Sequence, residues 1–257
     1  YDSFQLLTPE QQELRLMVRD FADKEIIPRA KELEINSEFP MDLYRKGFEM
    51  GLTTATLPEK YGGMGLDIFT YALLKEEIAR GDAGFAGAVA GCFMGSLPAQ
   101  LAGNDYHLKL VAECLCNGGI MAFALTEPDS GSNSADMRTT YRDDGDSYIL
   151  NGTKCFISNG GVADLVLVFA TKDRSLGKKG ISAFYVDSKT PGFIVGKHED
   201  KLGYRTSCTT DIAFADCRIP KKNLIGAEGE GMDIMNRCLN RTRPTAGAGA
   251  VGNALYA

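Results

Sequence analysis

The hydrophobic period of this chain changes near residue 120, and that change limits the fold more than any other feature. Before it the pattern is helical. Thr8-Pro9-Glu10-Gln11 places a hydroxyl at an N-cap, proline at the first helical position, and a glutamine able to close a capping box. Leu14, Val18, Phe21 and Ala22 then recur at helical spacing up to Pro28. Residues 41–50, stopped by Gly51, and 68–80 read as two further helices. Residues 84–101 are apolar on all sides and rich in Gly and Ala, which suits a protein interior or a ligand wall. Residues 105–116 complete the helical part. After residue 120 short apolar runs take over at 165–169, 181–186, 193–195 and 212–214, parted by Gly, Pro, Asp and Lys clusters. That spacing predicts a small β-barrel or sandwich. Helical character returns at Gly231 and runs to Ala257 with no stop signal. The expected class is α+β: a helical domain over 1–120, a β-domain over 121–228, and over 229–257 the first helix of a truncated C-terminal helical domain.

Chemistry concentrates between Phe123 and Gly161. Thr126-Glu127-Pro128-Asp129-Ser130-Gly131-Ser132 is a bend crowded with hydroxyls around a glycine. Gly131 lets backbone N–H groups approach an anion, and Ser130 and Ser132 add donors. Tyr148-Ile149-Leu150 and Cys155-Phe156-Ile157 read as strands of a hairpin about Asn151-Gly152, a strong type I′ turn signal. The returning strand carries Phe156 and Ser158 before Gly160-Gly161 breaks it. A hydroxylated bend beside an aromatic and a hydroxyl suits a large, planar, phosphate-bearing cofactor.

Other motifs have plainer readings. A net charge of −6 argues against a nucleic-acid surface. No uninterrupted apolar run is long enough to span a bilayer. Seven cysteines without a CxxC spacing suggest free thiols in a reducing compartment. His107 and His198 stand alone among polar neighbours, so no metal site is expected. Gly247-Ala-Gly249-Ala-Val-Gly252 has the letters of a dinucleotide fingerprint, but no strand precedes it, and close helix packing explains it better. Arg80-Gly81-Asp82 reads as a glycine C-cap followed by an aspartate N-cap.

The bend, the Asn-Gly segment and the aromatic-Ile-Ser-Asn-Gly run resemble, in order and spacing, those of the acyl-CoA dehydrogenases. Leu57-Pro58-Glu59-Lys60-Tyr61-Gly62-Gly63, Lys201-Leu202-Gly203-Tyr204-Arg205-Thr206-Ser207 and Asn240-Arg241-Thr242-Arg243-Pro244 extend the resemblance over nearly the whole chain, near the medium- and short-chain branches. It implies FAD as cofactor. Phe123, Leu125 and Thr126 would line the flavin ring, Gly131 and Ser132 its pyrophosphate. Phe156, Ile157 and Ser158 would supply an aromatic wall and a hydroxyl near flavin N5. Ser132, Asn240, Arg241, Thr242 and Arg243 would contact the acyl-CoA. The implied reaction is α,β-dehydrogenation of an acyl-CoA to the 2-enoyl-CoA, with electrons passed to an electron-transfer flavoprotein. The implied assembly is a homotetramer. It would be cytoplasmic in a bacterium and in the mitochondrial matrix in a eukaryote. The glutamate base, which some members place where Thr242 stands, is expected beyond Ala257. The alternatives are a non-catalytic flavin- and CoA-binding scaffold, or an acyl-CoA oxidase or enoyl-CoA reductase of the same fold.

Overall fold

The computed structural model describes residues 6–256; residues 1–5 and Ala257, named in the expected domain limits, lie outside them. Helix α1 (Pro9–Phe21) begins with the expected capping box: the Thr8 hydroxyl accepts from the Gln11 N–H at 3.2 Å, and the Gln11 side-chain oxygen accepts from the Thr8 N–H at 3.1 Å. The helical path does not end at Pro28. A π turn over Ala22–Ile26 leads into α2 (Ile27–Asn36), which takes Pro28 in its first turn, where a missing N–H is harmless. There follow α3 (Met41–Glu49), α4 (Ile68–Gly81), α5 (Ala83–Ala102) and α6 (Asp105–Leu115). Asp82 caps α5 as expected, its carboxylate accepting from the Phe85 N–H. Gly81, however, is no left-handed cap. It is helical, and a Cβ there would fall 2.9 Å from Ile26 Cγ2, so glycine allows α4 to approach the π turn.

Eight strands follow: β1 (Met121–Ala124), β2 (Thr140–Asp144), β3 (Ser147–Ser158), β4 (Leu165–Thr171), β5 (Ile181–Asp187), β6 (Phe193–His198), β7 (Thr209–Pro220) and β8 (Leu224–Ile225). They form one sheet in the order β6-β7-β3-β2-β4-β5-β8, with β1 parallel to β4. The hairpin expected at Asn151-Gly152 is not there. The chain reverses at Gly145 (φ 77°), and Asn151-Gly152 lies inside β3, at a register slip against β7. Long-range pairing with β7 overrides the local turn preference. Glycine is still required, because a Cβ on Gly152 would meet Thr139 Cα at 2.5 Å.

β4 explains its own continuous apolar run, since both of its faces are buried. Val166 and Val168 point into an inner core with Tyr141, Tyr148, Phe184 and Phe214. Leu167 and Phe169 point to the helices, beside Tyr185 of β5. The Tyr185 hydroxyl enters the backbone ladder of α5 next to Pro98, donating to the Gly95 carbonyl (2.8 Å) and accepting from the Ala99 N–H (3.2 Å). By length and composition α5 could cross a membrane, contrary to the expectation that no run is long enough, but most of it is buried within the protein. All seven cysteines are free, and five are buried. His107 is not among polar neighbours: it is buried, its Nδ1 accepts the Asn104 N–H, and its ring packs near Tyr106 and Tyr185.

Helix α7 (Gly231–Tyr256) packs along α4. A Cβ on Gly252 would sit 2.0 Å from the Glu76 carbonyl oxygen, and Gly249 lies beside Lys75 and Ala79. Gly249 and Gly252 of the Gly247–Gly252 run therefore lie on a helix-crossing surface, while Gly247 faces open space.

Candidate functional site

The bend after β1 is a tight turn: the Glu127 N–H donates to the Ser130 carbonyl (3.0 Å), and the Ser130 N–H donates back (3.1 Å). The Ser130 hydroxyl is buried and donates to the Asn133 carbonyl, so it is not a free donor as the sequence suggested. Ser132 is exposed. Gly131 faces open space, with nothing within 4 Å of a notional Cβ. Among the described residues the backbone N–H groups of Thr126, Gly131 and Ser132 have no acceptor. Three backbone donors along one short stretch are thus left without a partner among the described residues.

Strand β3 holds this bend in place. The Cys155 N–H donates to the Thr126 carbonyl at 2.9 Å. Lys154, with no exposed surface, donates from Nζ to the Leu125 carbonyl (3.1 Å) and to Glu127 Oε1 (2.7 Å). The Glu127 carboxylate also accepts from the backbone N–H groups of Arg138 and Thr139. Burial pulls the Lys154 ammonium down to about 8, against the opposing pull of Glu127. Burial disfavours ionisation of Glu127 as well, but the Lys154 charge and the hydrogen bonds outweigh it and hold the carboxyl below its ordinary range. This pair was not singled out from the sequence. A lysine directly before the apolar run Cys155-Phe156-Ile157 was the available signal.

A second register slip, between Lys154 and Ile157, turns both Lys154 and Cys155 inward and leaves Phe156 and Ser158 facing out. Phe156 takes φ 56°, a conformation that costs a non-glycine residue on the order of 1 kcal/mol, and the residue is 64% exposed. Ile157 lies between them with its side chain in the inner core, so only its backbone faces the same side. Asn159 anchors the end of the strand: its Nδ2 donates to the carbonyls of Ala88 (2.8 Å) and Met121 (3.0 Å). Phe123 and Leu125 are half-buried, Phe123 packing on Phe169.

Helix α7 starts beside the bend, where the Ser134 hydroxyl donates to Met235 Sδ. Asn240, Arg241, Thr242 and Arg243 follow a turn or two later. Asn240, Arg241 and Arg243 are exposed, and Arg243 donates to Asn240 Oδ1 at 3.0 Å. Thr242 is buried, with its hydroxyl donating to the Leu239 carbonyl. Glu228 is engaged by Tyr148 and Lys172, and Glu230 by the Ala227 N–H. The loop of Arg205 is docked on α2 and the start of α5 through Glu34 and Asp82. A cleft of about 600 Å³ lined by Glu113, Cys114, Asp164, Asp187 and Lys189 contains none of the sequence-assigned residues.

Comparison with known proteins gives the following. The profile described as "Acyl-CoA dehydrogenase, N-terminal domain" matches residues 8–118, and "Acyl-CoA dehydrogenase, middle domain" matches residues 122–217. An acyl-CoA dehydrogenase of Bacillus subtilis is 42% identical over 249 residues, which is 96% of this chain and 65% of that protein. The solved butyryl-CoA dehydrogenase of Megasphaera elsdenii superposes with a TM-score of 0.93 at 36% identity, over 97% of this chain and 67% of that one. An acyl-CoA dehydrogenase of Bacillus anthracis, solved in complex with FAD, gives 0.88 at 35% identity, over 96% of this chain and 42% of that one. The chain spans 61–65% of the length of the curated relatives it matches.

Proposed function

This chain belongs to the acyl-CoA dehydrogenase family, and we propose that the protein uses FAD to dehydrogenate an acyl-CoA between the carbons α and β to its thioester. The observation that carries this reading is the clamped bend, whose unpaired N–H groups lie on a stretch tied to β3 beside the exposed Phe156 and Ser158. The donor set suits the cofactor. Backbone N–H groups at Gly131 and Ser132 fit a pyrophosphate. The hydroxyls of Thr126 and Ser158 fit the polar edge of the flavin ring, and Phe123, Leu125 and Phe156 fit its faces. When bound, FAD supplies the acceptor for the hydride equivalent that leaves the β-carbon.

The chain's own residues then have definite tasks. The bend, fixed from behind by Lys154, would orient the ring without having to order on binding. Ser132 and the exposed Asn240, Arg241 and Arg243, with Thr242 between them, would position the acyl-CoA, the arginines matching its phosphates. We place the base that removes the α-proton outside these residues. The back-bonded Thr242 hydroxyl and the engagement of Glu228 and Glu230 support that placement. The proposed organisation is a helical unit over 1–120, a sheet unit over 121–228, and from 229 the first helix of a further unit. An electron-transfer flavoprotein is the proposed electron acceptor and a homotetramer the proposed assembly. Exposed Val251, Leu255 and Tyr256 on α7 are consistent with further protein packing there.

The test is an anaerobic titration of the native, FAD-loaded protein with acyl-CoAs of increasing chain length. Loss of the oxidised-flavin absorbance with at least one thioester is expected. A flavin that no acyl-CoA bleaches would contradict the dehydrogenase reading and leave the scaffold reading in place.

A further inference from the structure

We propose that the buried Lys154–Glu127 ion pair is a positioning element for the cofactor: its two charges hold the bend in the shape that admits FAD, and binding weakens when either charge is lost. This rests on the FAD reading above.

Three consecutive bend residues are tied to two consecutive residues of β3. Leu125 and Glu127 bond Lys154, and Thr126 between them bonds Cys155. On the far side the Glu127 carboxylate gathers the N–H groups of Arg138 and Thr139, where the chain re-enters the sheet before β2. The pair therefore pins both ends of the excursion from 125 to 139, while Gly131, Ser132 and Asn133 at its tip stay exposed. Cohesion alone does not need charges here. A buried ion pair replaced by apolar groups of similar size often leaves stability unchanged or raised. What charges add is direction: one ammonium fixes one carbonyl and one carboxylate, and that carboxylate fixes two amides. Lys154 is also two residues from Phe156 and four from Ser158, so the same strand segment sets the distance between the two walls.

The pair also predicts a pH profile. The groups facing Lys154 are Glu127 from the bend and Cys155 along the strand; across the ladder its partner on β7 is the apolar Ile212. Asp211 of β7 and Glu199 lie nearer Cys155, whose thiol burial pushes up. Arg138 is turned outward to Asp129. Burial brings the Lys154 ammonium down to about 8, just above neutrality. As pH rises through that value the Leu125 carbonyl loses a charged donor and Glu127 is left buried without its counter-charge.

The experiment is a fluorescence titration of the flavin-stripped native protein with FAD, from about pH 7 to about pH 9, for wild type, Lys154→Met and Glu127→Gln. Thermal melts confirm folding first. Wild type is expected to weaken across this range. Lys154→Met is expected to be weaker at neutral pH by roughly ten- to a hundredfold, the scale of one hydrogen bond to a charged group, and flat with pH. Glu127→Gln is expected to move the step to lower pH. It serves as the second variant if Lys154→Met does not fold. Equal affinity and an equal profile in wild type and Lys154→Met would overturn the proposal, as would an unmoved step in Glu127→Gln. A wild type that takes up no FAD at any pH would instead remove the cofactor reading itself.

Discussion

Gly91 lies in the middle of α5, where the helix touches the strand end that carries Ser158. A Cβ at Gly91 would fall 2.4 Å from Asn159 Nδ2 and 3.2 Å from the Met121 carbonyl oxygen. Alanine is worth about 1 kcal/mol over glycine in a helix interior, so intrinsic preference favours Gly91→Ala. Against that, Asn159 must move by about 1 Å, because side-chain carbons pack no closer than roughly 3.5 Å. Asn159 then loses its bonds to Ala88 and Met121, each worth about 1 kcal/mol, and a buried amide is left unpaired at about 1–3 kcal/mol. The contact wins, for a net loss of about 2–4 kcal/mol, or roughly 4–16 °C in melting temperature for a chain of this size. Gly87→Ala, one turn earlier on the same helix, is the control. Its Cβ would make an ordinary 3.8 Å contact with the Tyr204 ring, so it is expected to gain a few tenths to about 1 kcal/mol. Calorimetry on both variants decides. Gly91→Ala at or above the stability of wild type would refute the packing argument. It would also reopen the idea that the small residues of α5 leave room for a ligand.

The other expectations rest on separate features. Gly252→Ala should destabilise by about 1–3 kcal/mol through overlap with the Glu76 carbonyl, whereas Gly247→Ala, facing open space, should be neutral or stabilising; urea denaturation of both checks this. Ser158→Ala should weaken FAD by about 0.5–1.5 kcal/mol, a roughly two- to tenfold rise in Kd by fluorescence titration. Glu77 is held below the ordinary carboxylate range, because Arg19 and Arg15 outweigh the burial that opposes its ionisation. A lowered carboxyl stabilises fully above its unfolded value of about 4.3 and loses that contribution as pH falls through the folded value. Glu77→Gln should therefore cost about 3–5 kcal/mol at neutral pH and show a shallower acid loss than wild type in denaturation measured against pH.

Local chemistry made much of this fold legible. The Thr8 capping box, the Asp82 cap and the two-sided burial of β4 all follow from short stretches of sequence. The misreadings share a cause, which is contact between residues distant in the chain. Asn151-Gly152 has every local mark of a turn, yet β7 pairs through it. Gly81 looks like a cap because nothing nearby shows that Ile26 packs on it. At the site, the exposed Phe156 and Ser158 follow from strand alternation only after the bulge is known, and the bulge has no marker in sequence. Ser130 and Ser132 look equivalent, but the turn buries one and exposes the other. Lys154 was hidden for a similar reason: its acceptors lie 27 and 29 residues away.

The central claim is that FAD is held by the bend and the end of β3. Amide hydrogen exchange of the native protein, with and without FAD, tests it most directly. The N–H groups of Thr126, Gly131 and Ser132 have no acceptor among the described residues, so they should exchange quickly without the cofactor and slow markedly with it. Residues 156–158 should be protected as well, and residues 114–119 beside the separate cleft should not change. Protection confined to that cleft, with the bend still exchanging freely, would contradict the account.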